Sequence, residues 1–292
     1  MNVAQLQRLT DHILYLPANN EVDRPILGAI YGKNRTLLMD AGNSPAHASL
    51  LLDQLAALDL PQPEVLALTH WHWDHVFGMN HINLPTIAHR ETHAALSQLV
   101  GLEWTDEALD KRVQEGTEIE FCATYIKKEY EPAIRNQIHV TLPHILFDTK
   151  VEVDLGGITC VIEHVGGDHA ADSSVIYVKE EKTLFLGDCL GSEIYCKERN
   201  YVPENFLALL DKIERYDVEW YIESHWKPLS RQQFQSELAE MREIALLTLR
   251  TKGDREAIMH EFSKKVAREL TKDDLTVISY FIAGFCKKSF LS

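Results

Sequence analysis

Residues 70–75 (HWHWDH) constrain this chain more than any other segment. The segment places three imidazoles and one carboxylate directly after a short apolar run. Side chains at i and i+2 of an extended segment point to the same side, so His70 and His72 are placed to bind one ion. Asp74 and His75 follow, where we expect a turn into a helix, and they can face a second ion. Imidazole and carboxylate both bind transition metals, so the segment predicts a metal site.

Three further ligand candidates lie elsewhere in the chain. His169, Asp188 and His225 each come just after a short run that is typical of a β-strand. Folds of the α/β type place their sites at the carboxyl ends of strands. We therefore expect these three side chains to converge with the histidine-rich segment.

The remaining sequence alternates between strand and helix patterns. Ser44 followed by Pro45 is typical of a helix start, and leucines at helical spacing continue the pattern to residue 58. Residues 90–136 are rich in Ala, Leu, Glu and Lys and predict mostly helix. Short strand patterns return after them. From Ser230, a capping-box pattern and regularly spaced apolar residues predict a helical tail.

The full ligand order is H-x-H-x-D-H, then Gly-x-His, then Gly-Asp, then a late His. This order resembles that of the metallo-β-lactamase superfamily of hydrolases, over about residues 10–228. The resemblance implies an α/β (α+β) fold, a four-layer αββα sandwich, here with added C-terminal helices. We expect residues 1–228 to form the catalytic domain, with 90–136 as a helical insertion that shapes the pocket. Residues 229–292 are expected to form a C-terminal helical extension packed on that domain.

The resemblance also divides the ligands between two ions. The implied ligands are His70, His72 and His169 for one ion, Asp74, His75 and His225 for the second, and Asp188 as the bridge between them. Asp40 matches an acidic position of the family, where a carboxylate would fix the aim of a ligating imidazole. Two positions depart from the family pattern. Trp226 replaces the usual glycine after the late His, and Gly-Asp replaces a frequent Pro-Gly before His169. Asp168 either forms a hydrogen bond nearby or is solvated, and we expect the second.

This ligand set predicts a dinuclear zinc-dependent hydrolase. Two divalent ions about 4 Å apart lower the pKa of a shared water, and the resulting metal-bridging hydroxide is a nucleophile at neutral pH. Asp74 is the expected catalytic residue, which orients that water or carries its proton. The expected substrate is a small ester, lactone, thioester or phosphodiester. Two zinc ions per chain are expected, and iron or manganese is also compatible with these ligands.

Two alternatives stay open at this point. Persulfide dioxygenases resemble the same motif but use a single iron at the three-histidine side, so this chain could be a mononuclear iron oxidoreductase. The third hypothesis is a non-catalytic, metal-stabilised interaction protein whose C-terminal helices bind a partner. Structural zinc sites are usually closed and lack a position for water, which argues against the third hypothesis.

Bulk composition limits the partners of this chain. Its 29 Lys and Arg residues against 44 Asp and Glu give a net charge of −15, which disfavours a nucleic-acid partner. A metal centre supplies local positive charge, so a small anionic substrate is still compatible. Five cysteines without a C-x-x-C motif favour the reducing cytoplasm. We expect no signal peptide and no membrane span, and the apolar stripes of the C-terminal helices allow a homodimer.

Other side chains near the motif are expected to have roles other than metal binding. His164 is expected to be a structural strand-end residue, and Cys189 is expected to be buried. Tyr195, Trp71 and Trp73 are candidates for the walls of the substrate cleft. At least one of the two tryptophans is expected to pack against the ligands.

Overall fold

The computed structural model describes residues 4–289, which form thirteen strands and eleven helices within that range. The strands are β1 (Gln7–Arg8), β2 (Ile13–Leu16), β3 (Leu27–Tyr31), β4 (Thr36–Met39), β5 (Pro63–Ala67), β6 (Thr86–His89), β7 (Ile145–Phe147), β8 (Lys150–Asp154), β9 (Thr159–His164), β10 (Ser174–Val178), β11 (Thr183–Gly187), β12 (Trp220–Glu223) and β13 (Leu229–Ser230). The helices are α1 (Pro45–Ala56), α2 (Trp73–Val76), α3 (Met79–Ile82), α4 (Arg90–Ser97), α5 (Asp106–Glu115), α6 (Glu120–Glu129), α7 (Pro132–Arg135), α8 (Pro203–Ile213), α9 (Arg231–Thr251), α10 (Arg255–Val266) and α11 (Lys272–Ser289).

The strands form two sheets. The first has the order β1-β2-β3-β4-β5-β6-β7, and the second has the order β13-β12-β11-β10-β9-β8. In the first sheet β4, β5, β6 and β7 are parallel neighbours, and in the second sheet β11 and β12 are parallel. Parallel neighbours end at the same edge of a sheet, so the residues that follow β4, β5, β11 and β12 meet there.

The two sheets pack face to face with helices outside both. Fully buried side chains from both sheets fill the space between them, among them Ile30, Leu37, Ile162 and Phe185. A second apolar cluster joins the first sheet to helices α1 to α6, and a third joins the second sheet to α8 to α11. The architecture is therefore the predicted four-layer αββα sandwich.

Local sequence signals account for most of these elements. Ser44 accepts a hydrogen bond from the backbone N–H of His47 at the start of α1, with Pro45 at the first helical position, as predicted. Residues 90–136 contain four helices, which confirms their helical prediction. The sequence analysis did not predict strand β6, because its four residues lie between the histidine-rich segment and a long helical pattern.

The C-terminal helices pack on the second sheet. Ser230 and Gln233 form the predicted capping box at the start of α9. Phe234, Phe262 and Phe281, one from each of the three helices, are buried in the same cluster as strand residues of the second sheet. Within residues 4–289, no helix combines the length and the apolar character that a bilayer crossing requires.

Candidate metal centre

The histidine-rich segment lies where the first sheet meets the second. The chain leaves β5, bends at Thr69, runs without regular secondary structure to His72, and then turns into α2. His72 has φ −61° and ψ 146° immediately before that helix, so Asp74 and His75 lie in its first turns, as the sequence predicts. All four residues are buried, with exposed fractions between 0 and 5%.

The second sheet supplies the other three candidates. His169 lies in the turn between β9 and β10, Asp188 directly follows β11, and His225 follows β12 by two residues. Gly187 precedes Asp188 with φ +57°, and a Cβ there would lie 2.7 Å from Cβ of Thr69. Glycine therefore permits β11 to end against the histidine-rich segment of the other sheet.

The seven candidate side chains converge in two adjacent groups. In each group, the potential ligand atoms all lie within 4.8 Å of one another. The first group is His70, His72 and His169, and the second is Asp74, His75, Asp188 and His225. The sequence predicted the same two groups of ligands. It also predicted that Asp188 belongs to both, whereas at this distance Asp188 belongs to the second group alone.

Individual distances place Asp188 between the two groups. Its Oδ2 is 3.5 Å from Nε2 of His169, 3.5 Å from Nε2 of His75 and 3.4 Å from Nε2 of His225. Asp74 Oδ2 is 3.1 Å from Nε2 of His75 and 3.0 Å from Nε2 of His225. Two ligands of a tetrahedral zinc with bonds of about 2.05 Å are about 3.3 Å apart, so these spacings suit a shared ion.

Four of the imidazoles carry a buried nitrogen without a hydrogen-bond partner. The atoms are Nε2 of His70, His72, His75 and His169. A buried polar atom without a partner is costly, and each of these nitrogens points into the cluster where an ion would satisfy it. The residues present therefore fit a metal-ion site.

The opposite ring nitrogens are held by oxygen atoms. Asp40 Oδ2 is 2.8 Å from Nδ1 of His75, and both side chains are fully excluded from solvent. Thr69 Oγ1 is 3.1 Å from Nδ1 of His70, and the Ser192 carbonyl oxygen is 3.1 Å from Nδ1 of His169. On the neutral rings of His70 and His169 these contacts place the proton on Nδ1 and leave Nε2 with its lone pair for an ion, and on His75 they hold Nδ1–H in place when an ion displaces the Nε2 proton.

Burial and charge shift the pKa values in opposite directions across the cluster. Burial lowers the pKa of His70, His72 and His169, so these rings are neutral ligands. Burial acts to raise the pKa of Asp188, but His225 and His75 hold it well below its usual value. Asp188 is therefore an ionised carboxylate and His70, His72 and His169 are neutral imidazoles in the metal-free site, which is the state that metal ligands need.

The two remaining histidines hold a proton in the metal-free protein. Burial acts to lower the pKa of His75, but Asp74 and Asp40 raise it well above its usual value. The same balance, with Asp188 as the main partner, raises the pKa of His225. A metal ion bound here would displace these protons.

Several side chains near the site were assigned correctly from the sequence. Cys189 is buried, with 1% of its surface exposed. His164 stacks on His89 with ring centroids 3.8 Å apart, and its Nε2 donates to the Ala171 carbonyl oxygen. These two rings and Glu91 form a third group of possible ligands. His89 already uses both nitrogens in hydrogen bonds, which supports a structural role for this group.

The favoured prediction that Asp168 is solvated is wrong, and the alternative of a hydrogen-bonded carboxylate is correct. Its Oδ2 accepts a hydrogen bond of 2.8 Å from the backbone N–H of Val202, and its Oδ1 accepts one of 2.9 Å from Asn205. Val202 immediately precedes α8, so Asp168 ties the turn that carries His169 to the start of a helix. The sequence separation of 34 residues hides this contact from local pattern reading.

Sequence analysis also missed acidic side chains that contact the cluster. Asp23 Oδ1 is 3.7 Å from Nδ1 of His225, and burial followed by repulsion from Asp74 raises the pKa of Asp23 to about 7. Burial likewise raises the pKa of Glu223 to about 7. Asp23 has φ +55° and lies in a loop that follows no strand or motif. The sequence around it therefore does not indicate that it reaches the cluster.

Two cavities open onto the cluster. The α9 cavity, about 390 Å³, is lined by Leu190, Glu223, Trp226, Phe234, Leu238 and Met241. The α6 cavity, about 290 Å³, is lined by Asp23, Trp73, Phe121, Tyr125 and Arg199. His169, Asp188 and His225 line both cavities. The helices after residue 230 and the segment 90–136 therefore both shape the space around the cluster.

The predicted aromatic walls are divided between two places. Trp73 lines the α6 cavity and is 3% exposed. Trp71 and Tyr195 pack against each other with ring centroids 5.1 Å apart, and Tyr195 lies 5.4 Å from the ring of His72. They support the ligand segment from its side.

Comparison with known sequences agrees with the geometry. The sequence model of the family described as the metallo-beta-lactamase superfamily matches residues 28–225, which is more than half of the chain. This chain belongs to the metallo-beta-lactamase superfamily. The match includes all seven candidate ligands of the cluster.

Individual relatives of the superfamily are distant. A beta-lactamase-like protein 2 homolog from Caenorhabditis elegans is 25% identical over 198 residues, which cover 66% of this chain and 54% of the relative. The chain thus matches about half the length of that relative.

Two solved structures show the same fold. A metallo-beta-lactamase from Pontibacter korlensis superposes with a TM-score of 0.56 at 17% identity, over 81% of this chain and 97% of its own. A stereoselective inverting sec-alkylsulfatase from Pseudomonas sp. superposes with a TM-score of 0.62 at 17% identity, over 97% of this chain and 49% of its own. At this identity the likeness concerns the fold alone.

Proposed function

We propose that this chain is a dinuclear, zinc-dependent hydrolase of a small ester, lactone, thioester or phosphodiester. Members of the metallo-beta-lactamase superfamily are mostly metal-dependent hydrolases, although some are oxidoreductases. The proposed ligands are His70, His72 and His169 for the first ion, Asp74, His75 and His225 for the second, and Asp188 for both.

The position of Asp188 is the observation that carries this proposal. Its Oδ2 lies within 3.5 Å of a histidine Nε2 from each of the two groups, namely His169 and His75. A single carboxylate oxygen between two ligand groups suits a bridge between two ions. A mononuclear site would leave Asp74, His75 and His225 as a second complete set of ligands without an ion.

Asp74 is the proposed catalytic side chain. The opposing effects of burial and of His75 leave its pKa well below the usual value, so it is a carboxylate at neutral pH. A carboxylate accepts hydrogen bonds and can orient a water molecule for attack. When bound, two divalent ions would lower the pKa of that water and polarise the substrate oxygen.

A screen of the zinc-loaded protein with ester, lactone, thioester and phosphodiester substrates tests the function. We expect hydrolysis of at least one class, its loss after chelation, and its recovery with zinc. His72→Ala is expected to abolish turnover while the far-UV circular dichroism stays that of the wild type. Wild-type turnover in His72→Ala, or no turnover with any class at full zinc loading, would refute the proposal.

The same samples distinguish the alternatives. One iron per chain together with oxygen consumption on a persulfide substrate would favour the oxidoreductase. Two firmly bound ions with no turnover of any kind would favour a metal-stabilised interaction protein. A cytoplasmic location, a homodimer through the C-terminal helices and the absence of nucleic-acid and membrane partners remain predictions.

A further inference from the structure

The candidate metal centre lies at the junction of two cavities of different character. His169, Asp188 and His225 form part of the wall of both. A substrate whose reacting bond lies at this cluster can therefore extend into both cavities. The chemistry of the two linings indicates which part enters which cavity.

The α9 cavity is mostly apolar on the side formed by the C-terminal extension. Phe234, Leu238 and Met241 line it from α9 together with one carboxylate, Glu237, and Leu190 lines it from the loop after β11. Phe234 and Leu238 are buried in the core of that half, so this wall is fixed rather than loose. Its described lining contains Glu223 and Glu237 but no Lys or Arg, so the cavity disfavours an anionic group and suits an uncharged, largely apolar one.

A single Lys or Arg side chain lies among the described residues that line the two cavities, and it lies in the α6 cavity. Arg199 is the only Lys or Arg among the described residues that line either cavity. Its guanidinium lies 5.6 Å from the ring centroid of Phe121, which orients it by a cation–π contact. Among the described residues, none forms an ion pair with Arg199, although the chain carries a net charge of −15. An unpaired guanidinium in an acidic protein is available to an anionic group of a ligand.

We propose that the substrate is an anionic ester or thioester of an apolar acid, with the acyl chain in the α9 cavity and the anionic group of the leaving part at Arg199. This inference rests on the proposed hydrolase function and names its substrate class. Hydrolysis of such a thioester consumes one water. The acyl C–S bond breaks, an acyl C–O bond forms, and a proton of the water passes to the departing sulfur.

Thioesters that differ either in the acyl chain or in the charge of the leaving group test the acyl position in the α9 cavity and the anion position at Arg199 separately. The probes are the acetyl and octanoyl thioesters of 3-mercaptopropionate and of its primary amide, which has the same shape without the charge. The wild type is expected to prefer octanoyl over acetyl and carboxylate over amide. Arg199 is exposed and solvent screens its charge, so the carboxylate preference should be about two- to fivefold in kcat/KM.

Two variants and two matched controls assign these preferences to residues. Arg199→Met is expected to remove the preference for carboxylate over amide, whereas Lys197→Met, at an exposed position two residues away, keeps it. Leu238→Trp is expected to lower the ratio of octanoyl to acetyl turnover at least fivefold. Leu246→Trp, on the exposed side of the same helix, keeps that ratio. If Leu238→Trp does not fold, Met241→Trp at a half-buried position of the same wall replaces it.

A binding measurement separates this inference from the hydrolase proposal. The probe is 3-(octylthio)propionate, a thioether that cannot be hydrolysed, and its Kd is measured by calorimetry. Weaker binding in both Arg199→Met and Leu238→Trp supports the inference even if no thioester is cleaved. The inference is overturned if thioesters are hydrolysed, with loss in His72→Ala, while both preferences are unchanged in Arg199→Met and Leu238→Trp. It is also overturned if the thioether does not bind.

Discussion

Asp40 lies directly behind His75, with its Oδ2 2.8 Å from Nδ1 of the ring and with both side chains fully buried. The same carboxylate accepts hydrogen bonds from the backbone N–H and the hydroxyl of Thr69, at 2.8 and 2.9 Å. Asp40 therefore fixes the ring of a candidate ligand and the start of the histidine-rich segment together. Its φ of +58° places it in the left-handed region, which Asp and Asn tolerate better than most residues.

Asp40→Asn is expected to weaken zinc binding about 10- to 100-fold without unfolding the protein. The amide keeps the shape and the backbone conformation. Its N–H group can face Nδ1 of His75, which would move the ring proton to Nε2 and block the ligand atom. Competition with a chromophoric chelator measures the affinity. Asp53→Asn, an exposed substitution on α1, is the control and should bind zinc like the wild type.

Glu129→Gln is expected to destabilise the protein by about 2 kcal/mol, because it breaks a buried contact between α6 and the body. Glu129 is 3% exposed and lies 2.6 Å from Nη2 of Arg24, and it also accepts from the Ser44 hydroxyl. Arg24 is 23% exposed, so solvent reduces the cost of leaving its charge unpaired. Urea unfolding gives the value, with the exposed Glu131→Gln as control. A change below 0.5 kcal/mol in Glu129→Gln would refute the contact's role.

We expect His47 to make the folded protein less stable as the pH falls. Burial lowers its pKa well below the usual 6.5, so the unfolded chain binds a proton there that the folded chain does not. The contribution of the neutral His47 ring to the free energy of unfolding is complete above pH 6.5. It decreases by about 1.4 kcal/mol per pH unit as the pH falls below that value. Buried His70, His72 and His169 act in the same direction, so the test is a difference between two proteins.

His47→Leu removes this proton-linked contribution at a buried position. In metal-free protein, its free energy of unfolding should fall less steeply than that of the wild type between pH 6.5 and about pH 5. His139→Leu, at an exposed position, should keep the wild-type slope. Equal slopes in His47→Leu and the wild type would show that the ring is not held neutral by the fold.

Asp168→Ala is expected to cost about 1–2 kcal/mol, since it removes a carboxylate that receives the backbone N–H at the start of α8. The loss should be visible in urea unfolding and partly recovered in Asp168→Asn. Asp211→Ala, on the exposed face of the same helix, removes only a surface ion pair and should change stability by less than about 0.5 kcal/mol. An equal effect of the two alanine variants would contradict the capping role.

The ligand cluster could be predicted because its signals are local, and the four-layer fold because the order of those ligands resembles that of the metallo-β-lactamase superfamily. Residues 70–75 carry their spacing in the sequence, and His169, Asp188 and His225 each follow a recognisable strand. The contacts of Asp168 and Asp23 could not be predicted in this way. Asp168 meets a backbone group 34 residues away, and Asp23 meets the cluster from an irregular loop. Such contacts depend on how the two sheets pack, which no local pattern encodes.

The number of zinc ions per chain, obtained by native mass spectrometry after zinc loading and dialysis, tests the dinuclear centre most directly. We expect two ions in the wild type. We expect one ion in His169→Ala, which removes a ligand of the first group, and one in His225→Ala, which removes a ligand of the second. A wild type that retains fewer than two ions, or single-ligand variants that both retain two, would contradict the dinuclear centre.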